Sequence, residues 1–155
     1  MIASSSRGAP QVPESAFVAP TAVVVGDVVL GEHSSIWYGS VLRGDVGSIR
    51  VGPRTNIQDL CVLHTTKGRT GVILGDRCLI GMGAILLDGC VIGEESLVAA
   101  GSVVREGMVV PPRSFVAGVP AVRKGPIPPE IHARLRDSAD GYVRLAREHA
   151  ALGSR

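Results

Sequence analysis

Four histidines, His33, His64, His132 and His149, and three cysteines, Cys61, Cys78 and Cys90, have the chemistry to hold a borderline-soft ion such as zinc. A catalytic zinc needs about three protein ligands and an open position for water, an arrangement that brings the water's pKa towards about 7. The spacing does not supply that set. The cysteines are an odd number with no CxxC pair, which disfavours a disulfide framework and a zinc knuckle alike. No ligand spacing ties His33, His132 or His149 to His64. Before His64 come Arg43, Asp45, Gln58 and Asp59. An arginine with two aspartates reads as a structural ion-pair network, and a lone histidine beside it as a hydrogen-bonded residue.

The element that must position these groups is a repeat. Aliphatic residues recur every six positions at Val18, Val24, Leu30, Ile36 and Leu42, resume at Val51, Ile57 and Leu63 after three extra residues, and resume again after a five-residue loop. From Leu74 the step runs unbroken through Ile80, Leu86, Ile92, Val98, Val104, Val110 and Val116, giving sixteen repeats. Four residues after the aliphatic stands a small residue: Ala22, Ser40, Thr55, Ala84, Ser96, Ser102, Ser114 and all three cysteines. The cysteines therefore read as small buried packing residues rather than nucleophiles or ligands. A period of six fits neither the 3.6-residue helix nor a two-faced strand. It predicts a triangular coil with three short strands per turn, each aliphatic inside a narrow prism and each small residue at a tight corner, with successive coils paired in parallel.

Composition agrees with that architecture. Hydrophobic residues make up 45% of the 155-residue chain but aromatics only 3%, so the interior is built from small and β-branched aliphatics, and 20 glycines with 10 prolines imply many turns. The length suits one domain. We expect a lead-in over 1–17, a β-helix over 18–125 and a helical segment over 126–155. In that last segment Ile131, Leu135, Tyr142 and Leu145 recur at helical spacing among charged residues after Pro126, Pro128 and Pro129. That helix is expected to pack on the prism or on a neighbouring subunit. Sixteen basic against 14 acidic residues give a net charge of +2, too balanced to predict a nucleic-acid or acidic-membrane partner. The polar start MIASSSRGAP and the lack of a long apolar run predict a soluble, cytoplasmic protein.

The stretch IWYGSVLRGDVGSIRVGPRTNIQDLCVLHTT, Ile36 to Thr66, resembles the γ-class carbonic anhydrase-like family, as do the later segments AILLDGCVIGEESLVAAGSVV and FVAGVPA. The resemblance covers most of residues 11 to 125. It implies an all-β, left-handed parallel β-helix with a C-terminal α-helix, assembled as a homotrimer with zinc at each subunit interface and reversible hydration of carbon dioxide as the chemistry. Arg43 and Asp45 match the RGD-type motif that orders the interface. Gln58 and Asp59 match the NIQD motif, in which the Gln lies near the metal-bound water and the Asp pairs with the Arg. His64 matches the first zinc ligand.

The resemblance also implies two further histidines in a His-x4-His pair, and here the register points to Leu87, with Met82 as its companion slot. Neither side chain is a nitrogen ligand. The departure reads as the loss of a histidine-bearing coil of about 18 residues, three hexapeptides, since the chain passes directly from LGDRC to LIGMG with the six-residue step intact. The expectation is therefore a trimeric carbonic anhydrase-like protein with no competent zinc site, no cofactor, and a structural or binding role. Two enzyme readings stay open: an active carbonic anhydrase using zinc, His64 and Gln58, and a hexapeptide acyltransferase with a histidine base and a coenzyme A groove.

Overall fold

A computed structural model describes residues 1–152, so Gly153–Arg155 of the expected helical segment lie outside the described residues. The chain winds as a parallel β-helix with three faces. One face stacks Val24, Leu42, Leu63, Leu86 and Val104 through the pairings of Val23–Leu30, Val41–Val51, Val62–His64, Ile85–Leu86 and Val103–Val104. The second stacks Leu30, Val51, Leu74, Ile92 and Val110. The third stacks Val18, Ile36, Ile57, Ile80, Val98 and Val116. All of the sixteen repeat aliphatics but Val18, which lies half-buried in the first coil, are buried in one core.

Small residues are required at the corners because they tie one coil to the next. Ser40 Oγ donates to the Gln58 carbonyl at 2.6 Å and accepts from the Cys61 amide. Thr55 Oγ1 does the same between Gly75 and Cys78. The Cys61 and Cys78 thiols continue the ladder, donating to the Gly81 and Gly93 carbonyls at 3.2 Å each. Close approach of coils also explains glycine after the aliphatic: a Cβ at Gly81 would lie 2.5 Å from the Ala100 nitrogen.

Burial raises the thiol pKa to about 11 at Cys61 and Cys78 and about 12 at Cys90. The cysteines are thus protonated packing groups, poor nucleophiles in the fold. Because each folded value lies above the unfolded one, their contribution to stability is full below the unfolded pKa and is lost as pH climbs to the folded values. Wild-type protein should lose melting temperature steeply above about pH 9, more so than a Cys61→Ser variant, and should not react with a thiol reagent at pH 8 until it is unfolded. Stoichiometric labelling of the folded protein would contradict the packing role.

Residues 1–17 do more than lead in. Ile2–Ala3 pairs in parallel with Val23–Leu30, and Gln11 bridges to Val29, so this segment covers the open edge of the first coil. At the other end Ala121–Pro126 turns back antiparallel on Ser114–Gly118. The helix Pro129–Leu152 then returns along the third face. Its inward stripe departs from the sequence expectation: Ala139 and Ala146, neither in the expected stripe, are buried, whereas Leu145 is 37% exposed. Helical phase places Ala146, one residue further on, beneath the stripe begun by Tyr142, i to i+4.

The helix is fastened at both ends. Near its start, Glu95 Oε2 accepts from His132 Nε2 at 2.8 Å and Arg113 Nε at 2.9 Å, and Glu95 Oε1 lies 3.8 Å from Arg136. Burial works against the Glu95 charge, but the His132 and Arg113 hydrogen bonds outweigh it and hold the carboxyl below its ordinary range. Its contribution is therefore present above the unfolded carboxyl pKa and lost as pH falls through the folded value. Replacing Glu95 by Gln should cost about 2 kcal/mol at neutral pH, with wild-type and variant urea midpoints converging in acid. Near the helix end, His149 Nδ1 lies 2.8 Å from the Tyr38 hydroxyl, its ring edge-on to Trp37 at 5.2 Å, with Phe17 packed behind.

Candidate functional site

The candidate groups separate onto two corners of the prism. His64 ends the strand Val62–His64, and the register pairs it with Arg43 on the coil before. The next pairing, Leu63 with Leu86, sets Leu87 beside His64 on the coil after. At this corner the strand Val41–Val51 carries its three extra residues as a bulge: Gly26 pairs with Gly44, yet Val28 pairs with Ile49. The bulge turns Asp45 back onto its own strand. Its carboxylate accepts from Arg43 Nη1 at 2.9 and 3.2 Å.

Arg43 Nη2 lies 2.8 Å from His64 Nδ1 and 3.5 Å from Nε2. A guanidinium has donors only, so Nδ1 accepts, and a neutral ring then carries its proton on Nε2. That nitrogen faces Thr66 Oγ1 at 3.5 Å. Thr66 is held in turn by Asp88, which accepts from its backbone amide and, at 3.0 Å, from its hydroxyl. Asp88 is a buried carboxylate that the sequence reading did not single out. Its signal is the sequence LLDG, where an acid follows an inward and an outward leucine at the corner position occupied by Thr65 one coil earlier.

Gln58 and Asp59 occupy the corner at the other end of the strand Val62–His64. Gln58 is buried and donates through Nε2 to Asn56 Oδ1 at 2.7 Å; Asn56 Nδ2 and Trp37 Nε1 both donate to Ser35 Oγ, at 3.0 and 3.1 Å. Asp59 Oδ1 accepts the Tyr38 amide at 3.2 Å, so within one chain its recorded partner is not Arg43. Met82 is 55% exposed at this second corner, where the Gly83 amide donates to the Asp59 carbonyl. His33 sits at a prism corner with φ 59°, while His132 and His149 fasten the helix as described.

A zinc ligand set can be tested against this geometry. Among the described residues no group of three His, Cys, Asp or Glu side chains converges as a metal holder. Around His64 itself the neighbours are a guanidinium 2.8 Å from one ring nitrogen and an apolar Leu87 on the following coil. A fixed positive charge against the imidazole opposes a second cation there. This donor set does not fit zinc within one chain.

A family model for bacterial transferase hexapeptides, six repeats, matches residues 71–106. A solved hexapeptide transferase family protein from Anaplasma phagocytophilum superposes with a TM-score of 0.76 at 37% identity, covering 96% of this chain and 97% of its own. The mitochondrial γ-carbonic anhydrase 1 of Arabidopsis thaliana is 47% identical over 103 residues, 52% of this chain and 38% of the plant protein. This chain belongs to the hexapeptide-repeat family of γ-carbonic anhydrase-like proteins. A carbonic anhydrase of Geobacillus kaustophilus is 41% identical over 95 residues, 51% of this chain and 52% of the Geobacillus protein. The chain thus matches about half or less of the length of these carbonic anhydrases. Both aligned stretches are longer than the share of the 155-residue γ-carbonic anhydrase-like chain they occupy, so the relatives carry extra residues within them, an excess on the order of one coil. Among the described residues no helix is long and apolar enough to cross a membrane.

Proposed function

We propose that this chain is a trimeric γ-carbonic anhydrase-like β-helix that holds no catalytic zinc and serves a structural or binding role. The observation that carries the reading is the surroundings of His64: Arg43 on its ring nitrogen and Leu87 on the adjoining coil, where zinc would need nitrogen ligands. The extra residues of the Arabidopsis and Geobacillus relatives support the loss of a whole coil rather than two point replacements. A coil can be lost cleanly because three hexapeptides bring the chain back to the same corner, leaving each aliphatic in its column.

The outer surface supports assembly. Outward-facing Val23, Val41, Val62, Ile85 and Val103 line the first face beside Arg43 and His64, and the second face adds Ile73, 46% exposed, and Val109, 69% exposed. Apolar ladders of this kind mark surfaces that meet another chain. In this reading Arg43, Asp45 and Asp59 order the subunit interface, and Gln58 has no catalytic part.

The test is metal analysis of purified protein under conditions that retain zinc. Well under one zinc per subunit and no carbon dioxide hydration are expected, with a solution mass three times 16.1 kDa. Stoichiometric zinc with hydration activity that His64→Ala abolishes would replace this reading with the enzyme. Acetyl transfer from coenzyme A would replace it with the acyltransferase.

A further inference from the structure

The third face is covered only in part. Towards Phe17 and Trp37 the end of the helix lies on it, but near the helix start a gap stays open between the face and the first helical turn. Leu97 and Phe115, paired on adjoining coils, line this gap with Ile127, Pro128 and Ile131 around a pocket of about 320 Å³. No polar side chain stands in its wall. Water held there gains no hydrogen-bond partner, so hydrocarbon replaces it at a profit in free energy.

The border of the pocket is charged. Glu95 stands two residues before Leu97, Arg113 two before Phe115, and His132 directly after Ile131, so the ion cluster that fastens the helix adjoins the pocket at the corner between the second and third faces. Its single carboxylate, nearly buried, is shared by the Arg113 and Arg136 guanidiniums, both more than half exposed. Arg113 donates to it through Nε, and among the described residues no acceptor is recorded for its Nη groups or for any hydrogen bond from Arg136. Arg123 and Lys124, on the strand that leads into Ile127, offset the exposed acids Glu94 and Glu130 and keep the local balance positive. This corner is the one furthest from the first face and from Arg43, Asp45 and Asp59, the residues that the reading above sets at the subunit interface.

We propose that this pocket binds a monocarboxylate with an apolar tail of about octanoate's size, the tail between Leu97, Phe115 and Ile131 and the carboxylate on the Arg113 and Arg136 guanidiniums. Each part of the ligand answers a part of the site. The wholly apolar wall takes a hydrocarbon tail, and a volume at the lower end of the roughly 300–1,000 Å³ of small-molecule pockets takes about ten heavy atoms. Two cations that share one acid exclude an amine and accept a single negative charge, and a guanidinium fork matches the two coplanar oxygens of a carboxylate. The proposal goes beyond the zinc-free reading and holds whatever the metal content at His64.

The experiment follows the δ1 methyl groups of Ile127 and Ile131 by NMR in the full chain, titrated with sodium octanoate below its micelle concentration and, in parallel, with sodium acetate, 1-octanol and octylammonium chloride. A saturable shift is expected with octanoate, about tenfold weaker with 1-octanol, as for the loss of one charge-assisted hydrogen bond, and absent with acetate and octylammonium. Arg136→Gln and Arg113→Gln should each weaken octanoate binding by about the same factor, and Leu97→Trp, which fills the pocket, should abolish it. Melting temperatures are measured alongside, and Arg136→Gln, which removes no hydrogen bond recorded within the chain, keeps the test decisive if Leu97→Trp does not fold. No saturable shift with octanoate, an equal response to 1-octanol or octylammonium, or an undiminished response in folded Arg136→Gln each overturns the site.

Discussion

A variant with a histidine-bearing coil of about 18 residues, three hexapeptides, inserted between Cys78 and Leu79 should change from holding no zinc to holding about one per subunit. Leu79–Ile80 pairs with Asn56–Ile57 on one side and Leu97–Val98 on the other, so a full coil placed before Leu79 separates the first pair and leaves the second untouched. The inserted coil would take over the surface that Leu86–Leu87 now presents to Leu63–His64. Histidines at the second position of its hexapeptide and five residues before would then stand where Leu87 now adjoins the His64 corner and where Met82 now adjoins the Gln58 and Asp59 corner. A second insertion of equal length with alanine at those positions separates folding from metal binding. Zinc in the histidine insertion but not in the alanine one, with both melting cooperatively, is the expected result. A folded histidine insertion without zinc would show that loss of a coil does not account for the zinc-free site proposed above.

Replacing Ile80 by Asp should prevent folding altogether. Ile80 is fully buried, near the middle of the third-face column between Ile57 and Val98. The prism is too narrow to offer a carboxylate a partner or water, and an unpaired buried charge costs more than the whole stability of an ordinary domain can spare. Ile80→Ala gives the graded version, a loss of about 2–5 kcal/mol from the lost burial and the cavity left behind. Two residues along, Met82 is exposed, and Met82→Ala should shift stability by no more than about 0.5 kcal/mol. Urea midpoints of the two alanine variants check the contrast. Similar losses at both positions would contradict the packing described.

The coil itself was legible because the repeat is a local rule. Each hexapeptide places one aliphatic inward and one small residue at a corner, and the corner turn recurs three residues after the aliphatic in the left-handed region, at Gly39, Gly83, Gly89, Gly101 and Gly107 as well as at Leu60, Arg77 and Glu95. Counting therefore predicted the buried columns and the packing role of Cys61, Cys78 and Cys90. The helix was legible in existence but not in phase. The expected stripe used Leu145, whereas the structure buries Ala146, because the small surface beside Trp37 and Phe17 admits an alanine and a histidine ring rather than a leucine.

What spacing could not give was which polar groups meet. Arg43, Asp45, Gln58, Asp59 and His64 were all found along the chain, and from there they looked like one cluster. The winding divides them, since residues at opposite ends of one short strand point to different corners of a triangular prism. Arg43, Asp45 and His64 share one corner through the register of adjacent coils, and Asp88 joins them from a coil that the sequence places more than twenty residues away. Gln58 and Asp59 share the other with Asn56 and Tyr38. By itself the sequence determined the fold, because a six-residue period with one aliphatic has few ways to bury its core. Only the tertiary structure decided that His64 gives its ring nitrogen to an arginine, because that depends on which side chains successive coils set side by side.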